Sequence, residues 1–264
     1  MKKILFGTIG WARVCINRFA FKLSGRLHSN QQDLGALRNK YLGKRCFIVC
    51  NGPSLNPDDL TRIHENGDIS FATNKIDKIF SKTPWRPTYY LVFDNSFQRT
   101  LLSTMRNMEC VCQFYRTDSY LTTRQIKNHK VLWLNTDGNR KYLESPKFSE
   151  DLVDIVYAIA TVTYISLQLA VYLGFKEIYI IGCDNSYGIE KLKDGTIINH
   201  NKTSYFEGSD KKDSAKIVGE TWQMNIAYEY ARKYADENGI KIFNATRGGY
   251  LEAFERVNFD KLFS

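Results

Sequence analysis

The chain of 264 residues is 43% hydrophobic, enough to bury the core of one α/β domain with an appendage. Its whole net charge of +9 resides in residues 1–45, where ten Lys or Arg face a single acid, Asp33; the remainder holds 27 bases and 27 acids. A neutral body with a basic arm argues against a nucleic-acid-binding domain, whose positive patch belongs on the folded body.

In residues 1–28, Arg13, Arg18, Lys22 and Arg26 interrupt any apolar region of the kind a secretory signal needs. Wound as a helix, Leu5, Ile9, Ala12, Ile16, Phe19, Leu23 and Leu27 form one stripe flanked by those cations. That pattern predicts a helix lying in an anionic membrane surface, and hence a cytoplasmic protein held at the inner face of the cell membrane. Residues 29–43 read as a polar connector, so the predicted division is a basic arm at 1–42 and a domain at 43–264.

The domain opens on an apolar, β-prone run at 46–50, a buried strand, followed by Asn51-Gly52-Pro53-Ser54-Leu55. Asn56 is placed to cap a helix with Pro57 at its first position and Asp58 and Asp59 in its first turn. A strand leading through a Gly turn to a helix start presents backbone N–H groups suited to a phosphate. Strands follow at 69–73, ending in Asn74, and at 88–93, ending in Asp94 and Asn95, with weaker ones at 110–114 and 131–134. Residues 152–175 are long enough to span a bilayer, but Thr161, Thr163, Tyr164, Ser166 and Gln168 favour a core helix feeding the strand at 176–182.

After Gly182-Cys183-Asp184-Asn185-Ser186-Tyr187-Gly188, the charged stretch 189–212 reads as an irregular lid carrying His200 and Tyr205. A helix is expected over 214–238, closed by Gly239, then a strand at 240–243, then Asn244-Ala245-Thr246-Arg247-Gly248-Gly249, then a last helix over 251–263. Strands separated by helices predict an α/β, Rossmann-like, mostly parallel sheet flanked by helices, with ligands outside the carboxyl ends of the strands, where Asn51, Asn74, Asp94 and Asn95 would gather. The six cysteines form no C-x-x-C pair and have no His at ligand spacing, so they read as core residues of a protein in a reducing compartment, with no metal site.

Taken together, Asn51-Gly52-Pro53-Ser54-Leu55, Leu173-Gly174-Phe175-Lys176-Glu177-Ile178-Tyr179, Gly182 to Tyr187 and Asn244 to Gly249 resemble the bacterial MptE-like (6-hydroxymethylpterin diphosphokinase-like) proteins often found with surface-polysaccharide synthesis. More remotely the order is similar to Campylobacter-type sialyltransferases, which use CMP-sialic acid. The resemblance implies that Asn51, Gly52, Pro53 and Ser54 hold a nucleotide phosphate and that Asn74 and Asn95 border the sugar. It places Thr161 and Thr163 near the donor, and Asp184 and Tyr187 beside the leaving group. The strand end carrying Asn244 and Thr246 is expected at the same pocket as Asp94. The sialyltransferases carry a catalytic His beside a Ser in the loop after this strand; here His200 would take that role from a shifted position.

The expected reaction is glycosyl transfer from a CMP-type nucleotide-sugar to a surface glycan or glycolipid, with no cofactor or metal required. His200 acts as base, histidine being the side chain whose ordinary pKa suits that proton transfer, while Tyr187 and Tyr205 stabilise charge on the phosphate. The alternative implied by the family label is pyrophosphoryl transfer from ATP to a pterin, which would use Mg²⁺ at Asp94 and Asp184. A third reading is a non-catalytic member of a polysaccharide assembly. A P-loop kinase is excluded because no Gly-x-x-x-x-Gly-Lys-Ser/Thr run is present. Homo-oligomerisation is compatible with the sequence.

Overall fold

Nearly continuous apolar runs make strands that are buried on both faces, and the sheet they build here is parallel throughout. The computed structural model of the chain describes residues 2–127, 130–206 and 218–263, the side chains of 2–9 and 95–97 apart. Its strands are β1 (Arg45–Val49), β2 (Ile69–Thr73), β3 (Tyr89–Leu91), β4 (Cys112–Arg116), β5 (Val131–Leu134), β6 (Thr136–Asp137), β7 (Val156–Tyr157), β8 (Glu177–Ile181), β9 (Ile189–Lys191), β10 (Ile197–Asn199), β11 (Val218–Gly219), β12 (Lys241–Asn244) and β13 (Glu255–Arg256). Eight of them form one sheet in the order β13-β12-β8-β1-β2-β3-β4-β5. β6 pairs with β7, and β9, β10 and β11 make a small separate sheet.

The helices are α1 (Lys2–Leu23), α2 (Leu27–Gly35), α3 (Pro57–Glu65), α4 (Asn95–Thr100), α5 (Leu102–Asn107), α6 (Tyr120–Thr123), α7 (Val162–Tyr172) and α8 (Thr221–Glu237). They cover both faces of the sheet, and β1 shows why its sequence is apolar at every position. Cys46 and Ile48 enter the core on one face, Phe47 and Val49 that on the other. From β1 the chain runs outward through β2 to β5 and returns as β8 on the opposite side of β1. The winding therefore reverses between β1 and β8, which makes this a doubly wound Rossmann-like sheet with its switch point at those two strands.

Local signals fixed several boundaries. The Asn56 side chain accepts from Asp58 N at 3.0 Å and Pro57 begins α3, as their chemistry predicts. Gly239 follows α8 with φ +62°, the left-handed conformation that favours glycine at a helix end.

Three expectations are corrected by tertiary pairing. The helix expected over 152–175 starts only at Val162. Residues 156–157 pair with β6, Ala160 reverses the chain at φ +54°, and Thr161 caps α7 by accepting from Thr163 N at 3.2 Å. The helix expected from 214 starts at Thr221, because Val218 and Gly219 extend the β9 sheet; residues 214–217 lie outside the described ones. The tail is not one helix over 251–263, only a short 3₁₀ helix at Phe259–Phe263. Residues 255–256 pair with β12, and the turn Phe259–Phe263 sets Phe263 stacked on Phe47 with ring centroids 5.9 Å apart.

The stretch 189–212 is ordered as far as it is described: β9 and β10 form an antiparallel hairpin, His200 N donates to Gly188 O at 2.7 Å, and Phe206 N donates to Asn51 O at 3.1 Å. Its residues 207–212 lie outside the described ones.

The arm at 1–42 is docked on the domain. Phe21 is buried against Tyr120 and Trp133, with ring centroids at 5.3 and 5.8 Å. Asn17 Oδ1 accepts from Leu121 N at 2.9 Å, Arg18 Nη2 donates to Thr136 O at 2.7 Å, and Asn30 bonds the backbone N and O of Trp133. Residues 29–43 are therefore no loose connector. The face of α1 that docks is not the one the apolar stripe defines: Ile16, Phe19 and Leu23 remain exposed, while the side chains of Leu5 and Ile9 lie outside the described ones. No helix among the described residues is long and apolar enough to cross a membrane.

Candidate active site at the switch point

Where β1 and β8 end side by side, neither crossover covers the crevice, and the strand-end residues face it. A cleft of about 520 Å³ opens there, lined by residues that include Asn74, Asp94, Arg116, Thr161, Tyr187 and Tyr205. It continues into a narrower recess of about 100 Å³ reaching Cys50, Asn51, Gly52, Thr163 and Asp184. Three of the four segments expected to converge do so: 51–52, 94 and 184–187. The fourth does not line the cleft. Asn244 Nδ2 donates to Leu251 O at 2.6 Å, and Thr246 Oγ1 accepts from Cys183 N at 3.2 Å. Asn244 and Thr246 thus hold the end of β8 from behind, and Tyr250 N donates to Asp184 O at 2.7 Å.

The turn after β1 is already satisfied by its own chain. Gly52 N donates to Gly182 O at 2.8 Å, and Leu55 N to Gly52 O at 3.1 Å. Ser54 donates to Asp184 Oδ2 from its N at 3.2 Å and its Oγ at 2.8 Å. The phosphate cradle expected at Gly52, Pro53 and Ser54 is corrected accordingly: the Asp184 carboxylate stands where an external anion would. Neither Pro53 nor Ser54 lines the cleft. A Cβ on Gly52 would overlap Asp184 Oδ2 and approach Gly182 O to 2.6 Å. We therefore expect Gly52→Ala to cost about 3 kcal/mol in denaturant unfolding, the upper end of overpacking losses.

The recess has a distinct hydrogen-bonding character. Asn51 is buried, and its Nδ2 donates to Thr73 O at 3.0 Å and Thr73 Oγ1 at 3.1 Å, which fixes the amide's orientation. Its Oδ1, like Asn74 Oδ1, has no hydrogen-bond partner among the described residues. Asn74 is held in a left-handed conformation, φ +53°, with its carbonyl accepting from Tyr90 Oη. Two buried acceptors without donors invite a ligand that supplies hydroxyl or amine hydrogens.

Below them, Cys50 Sγ lies 3.4 Å from Thr163 Oγ1 and Cys183 Sγ 3.6 Å from Tyr228 Oη. Hydrogen bonding to Cys183 and burial push the Cys50 thiol well up, so it stays protonated at neutral pH. Burial likewise raises the Tyr187 phenol, keeping it a donor, 3.5 Å from Met224 Sδ.

Arg116, at the end of β4, is the one cation among the described residues lining cleft and recess. Its Nη2 pairs with Asp118, a buried carboxylate, its Nη1 lies 3.4 Å from Phe93 O, and its Nε has no partner among the described residues. It faces the same cleft as the start of α7, where Thr161, Val162 and Thr163 bring the positive end of the helix dipole. The apolar run predicts a strand ending at 114, two positions short of the observed end of β4, which leaves Arg116 outside the expected site. The rule that polar strand ends face the ligand applies to Arg116 as it does to Asn74 and Asp94.

His200 is not among the residues lining the cleft. It sits beyond β10, its Nε2 3.3 Å from Glu190 Oε2, and Glu190 also accepts from Thr221 Oγ1. Tyr205 does line the cleft, whereas the Asn95 side chain lies outside the described ones. Asp94 is the carboxylate of the wide part of the cleft.

A doubly wound α/β domain with a polar cleft at its switch point defines a Rossmann-like protein. The chain belongs to the 6-hydroxymethylpterin diphosphokinase MptE-like family, whose model matches residues 23–190, from the end of α1 through β8 into β9. The match spans Asn51, Asn74, Asp94, Arg116, Thr161 and Asp184, and stops before His200 and Tyr205. No curated protein matches the chain.

Proposed function

We propose that the protein transfers a glycosyl group from a nucleotide-activated donor of CMP type to a glycan or glycolipid acceptor. The observation that carries this reading is the division of one continuous cleft into two chemistries. The recess offers the unpaired acceptors of Asn51 and Asn74, which suit the hydroxyls and amine of a nucleoside. The wide part offers Arg116 and the start of α7, which suit its phosphate.

In this scheme the acceptor hydroxyl gives its proton to Asp94 as its oxygen attacks the anomeric carbon. The bond from that carbon to the phosphate oxygen breaks, and the nucleotide leaves with the electron pair. Arg116, the Tyr187 hydroxyl and the Tyr205 hydroxyl meet the charge that grows on the phosphate. Asp94 replaces His200 as the base because it lines the cleft, and the His does not.

The family's description favours a second reading, pyrophosphoryl transfer to a pterin. Among the described residues no three His, Cys, Asp or Glu side chains lie close enough to share a metal ion, and Asp184 is already bonded to Ser54. Mg²⁺ ordinarily takes one or two protein carboxylates and fills its remaining positions with substrate phosphate and water, so this reading would rest on Asp94, which lines the wide part of the cleft.

Thermal-shift measurements with CMP, CMP-sugars, UDP- and GDP-sugars and ATP, each with and without Mg²⁺, separate the readings, since a ligand of the folded state raises Tm by mass action. Stabilisation by CMP or a CMP-sugar without metal supports glycosyl transfer. Stabilisation by ATP with Mg²⁺ alone would replace it with the pterin reading, and no response would leave a non-catalytic assembly member.

A further inference from the structure

A helix that packs on a domain ordinarily buries its apolar face; α1 does the reverse. Asn17 and Phe21 make its docked side, through the bonds to Leu121 and the rings of Tyr120 and Trp133. The side turned outward carries Trp11, Ile16, Phe19 and Leu23, between 58% and 71% exposed. At 100° per residue these four span an arc of about 140°, opposite Phe21. Single exposed apolar residues need no explanation, but one helix face that gathers four does.

The charge around that face says what covers it. Lys22 is exposed on it, Arg26 is exposed just beyond the helix with its guanidinium 5.7 Å from the centroid of the Trp133 ring, and no acid occurs before Asp33. A second copy meeting the same face would set those cations against their own counterparts with no carboxylate between them. An anionic lipid surface satisfies both parts at once: acyl chains take the aromatic and aliphatic side chains, and headgroups take the cations.

We propose that the outward face of α1 is a docking surface for anionic membranes, with α1 lying in the interface plane while its other side stays attached to the domain. Because α1 packs on residues 117–121, directly after Arg116, docking brings the β4 side of the cleft to the lipid surface. The surface is argued independently of the reaction and would stand if the donor proved to be something other than a nucleotide-sugar.

The test is flotation of the full chain with vesicles of phosphatidylcholine alone, or with 30 mol% phosphatidylglycerol (about a third anionic lipid, where surface charge draws basic segments). The wild type should float with the anionic vesicles and stay behind with the neutral ones. Trp11→Ser, Phe19→Ser and Leu23→Ser combined should reduce the floated fraction at least tenfold, as should Lys22→Glu. These side chains are exposed, so unchanged melting of both variants would show that the fold is intact. Three results overturn the proposal: no flotation of the wild type with anionic vesicles, equal flotation of the apolar triple variant, or a dimeric wild type that the triple variant makes monomeric.

Discussion

Arg116→Gln should bind CMP about ten- to a hundredfold more weakly than the wild type while binding cytidine equally well. The range corresponds to about 1.5–3 kcal/mol, the worth of hydrogen bonds to a charged group. The reason is electrostatic and local: no other cation among the described residues lines the cleft, and its Nε is without a protein partner. The neutral nucleoside makes its contacts in the recess, at Asn51 and Asn74, so the loss is confined to the phosphate.

Isothermal titration with both ligands reads the difference. Equal loss for CMP and cytidine would mean that the substitution has disturbed the fold. That risk is concrete, because Asp118 is buried and Arg116 is its partner; stranding such a charge costs about 3–5 kcal/mol. The double variant Arg116→Gln, Asp118→Asn removes both charges and should show the same selective loss of CMP affinity. If it binds CMP as tightly as the wild type, Arg116 has no part in holding the phosphate.

Asp94→Asn should lower turnover about 10²–10⁴-fold, the range general acid–base groups contribute, with donor affinity little changed. His200→Ala should leave turnover within about threefold, since loss of a solvated residue outside the site rarely matters more than a surface substitution. The two substitutions compete as explanations of the same proton transfer. Geometry decides between them: Asp94 lines the wide part of the cleft, whereas His200 pairs with Glu190 outside it. Steady-state assays with a CMP-sugar and a glycolipid acceptor give both numbers. A His200 variant as impaired as the Asp94 variant would return the base to the β9–β10 hairpin.

Much of this architecture was legible before any coordinates. Apolar runs bounded by polar residues located β1, β2, β5 and β8 to within a residue or two, since a strand buried on both faces has no room for polar interruption. The Asn56-Pro57 start of α3 was equally plain, because capping chemistry acts within three residues. The gathering of Asn51, Asn74 and Asp94 followed from parallel topology alone, whereas Tyr187 was expected there only from the family resemblance. The start of α7 was not legible: residues 156–157 pair with a distant strand, and local propensity cannot report such pairing. Nor was the use of the Gly52–Ser54 turn. Free N–H groups at a strand–turn–helix suggest an anion, but the sequence does not say that Asp184, 130 positions on, supplies it.

The sequence by itself determined the central strands of the main sheet, that this sheet is parallel, and that polar strand ends meet at one edge, because these follow from residue-by-residue burial and short-range capping. Tertiary structure alone decided which of those ends face the cleft, that Arg116 provides its cation while Asn244 and Thr246 stand behind it, and that α1 docks by its minor face. Such outcomes depend on how elements far apart in the chain pack and compete for the same hydrogen bonds, and no local pattern encodes that competition.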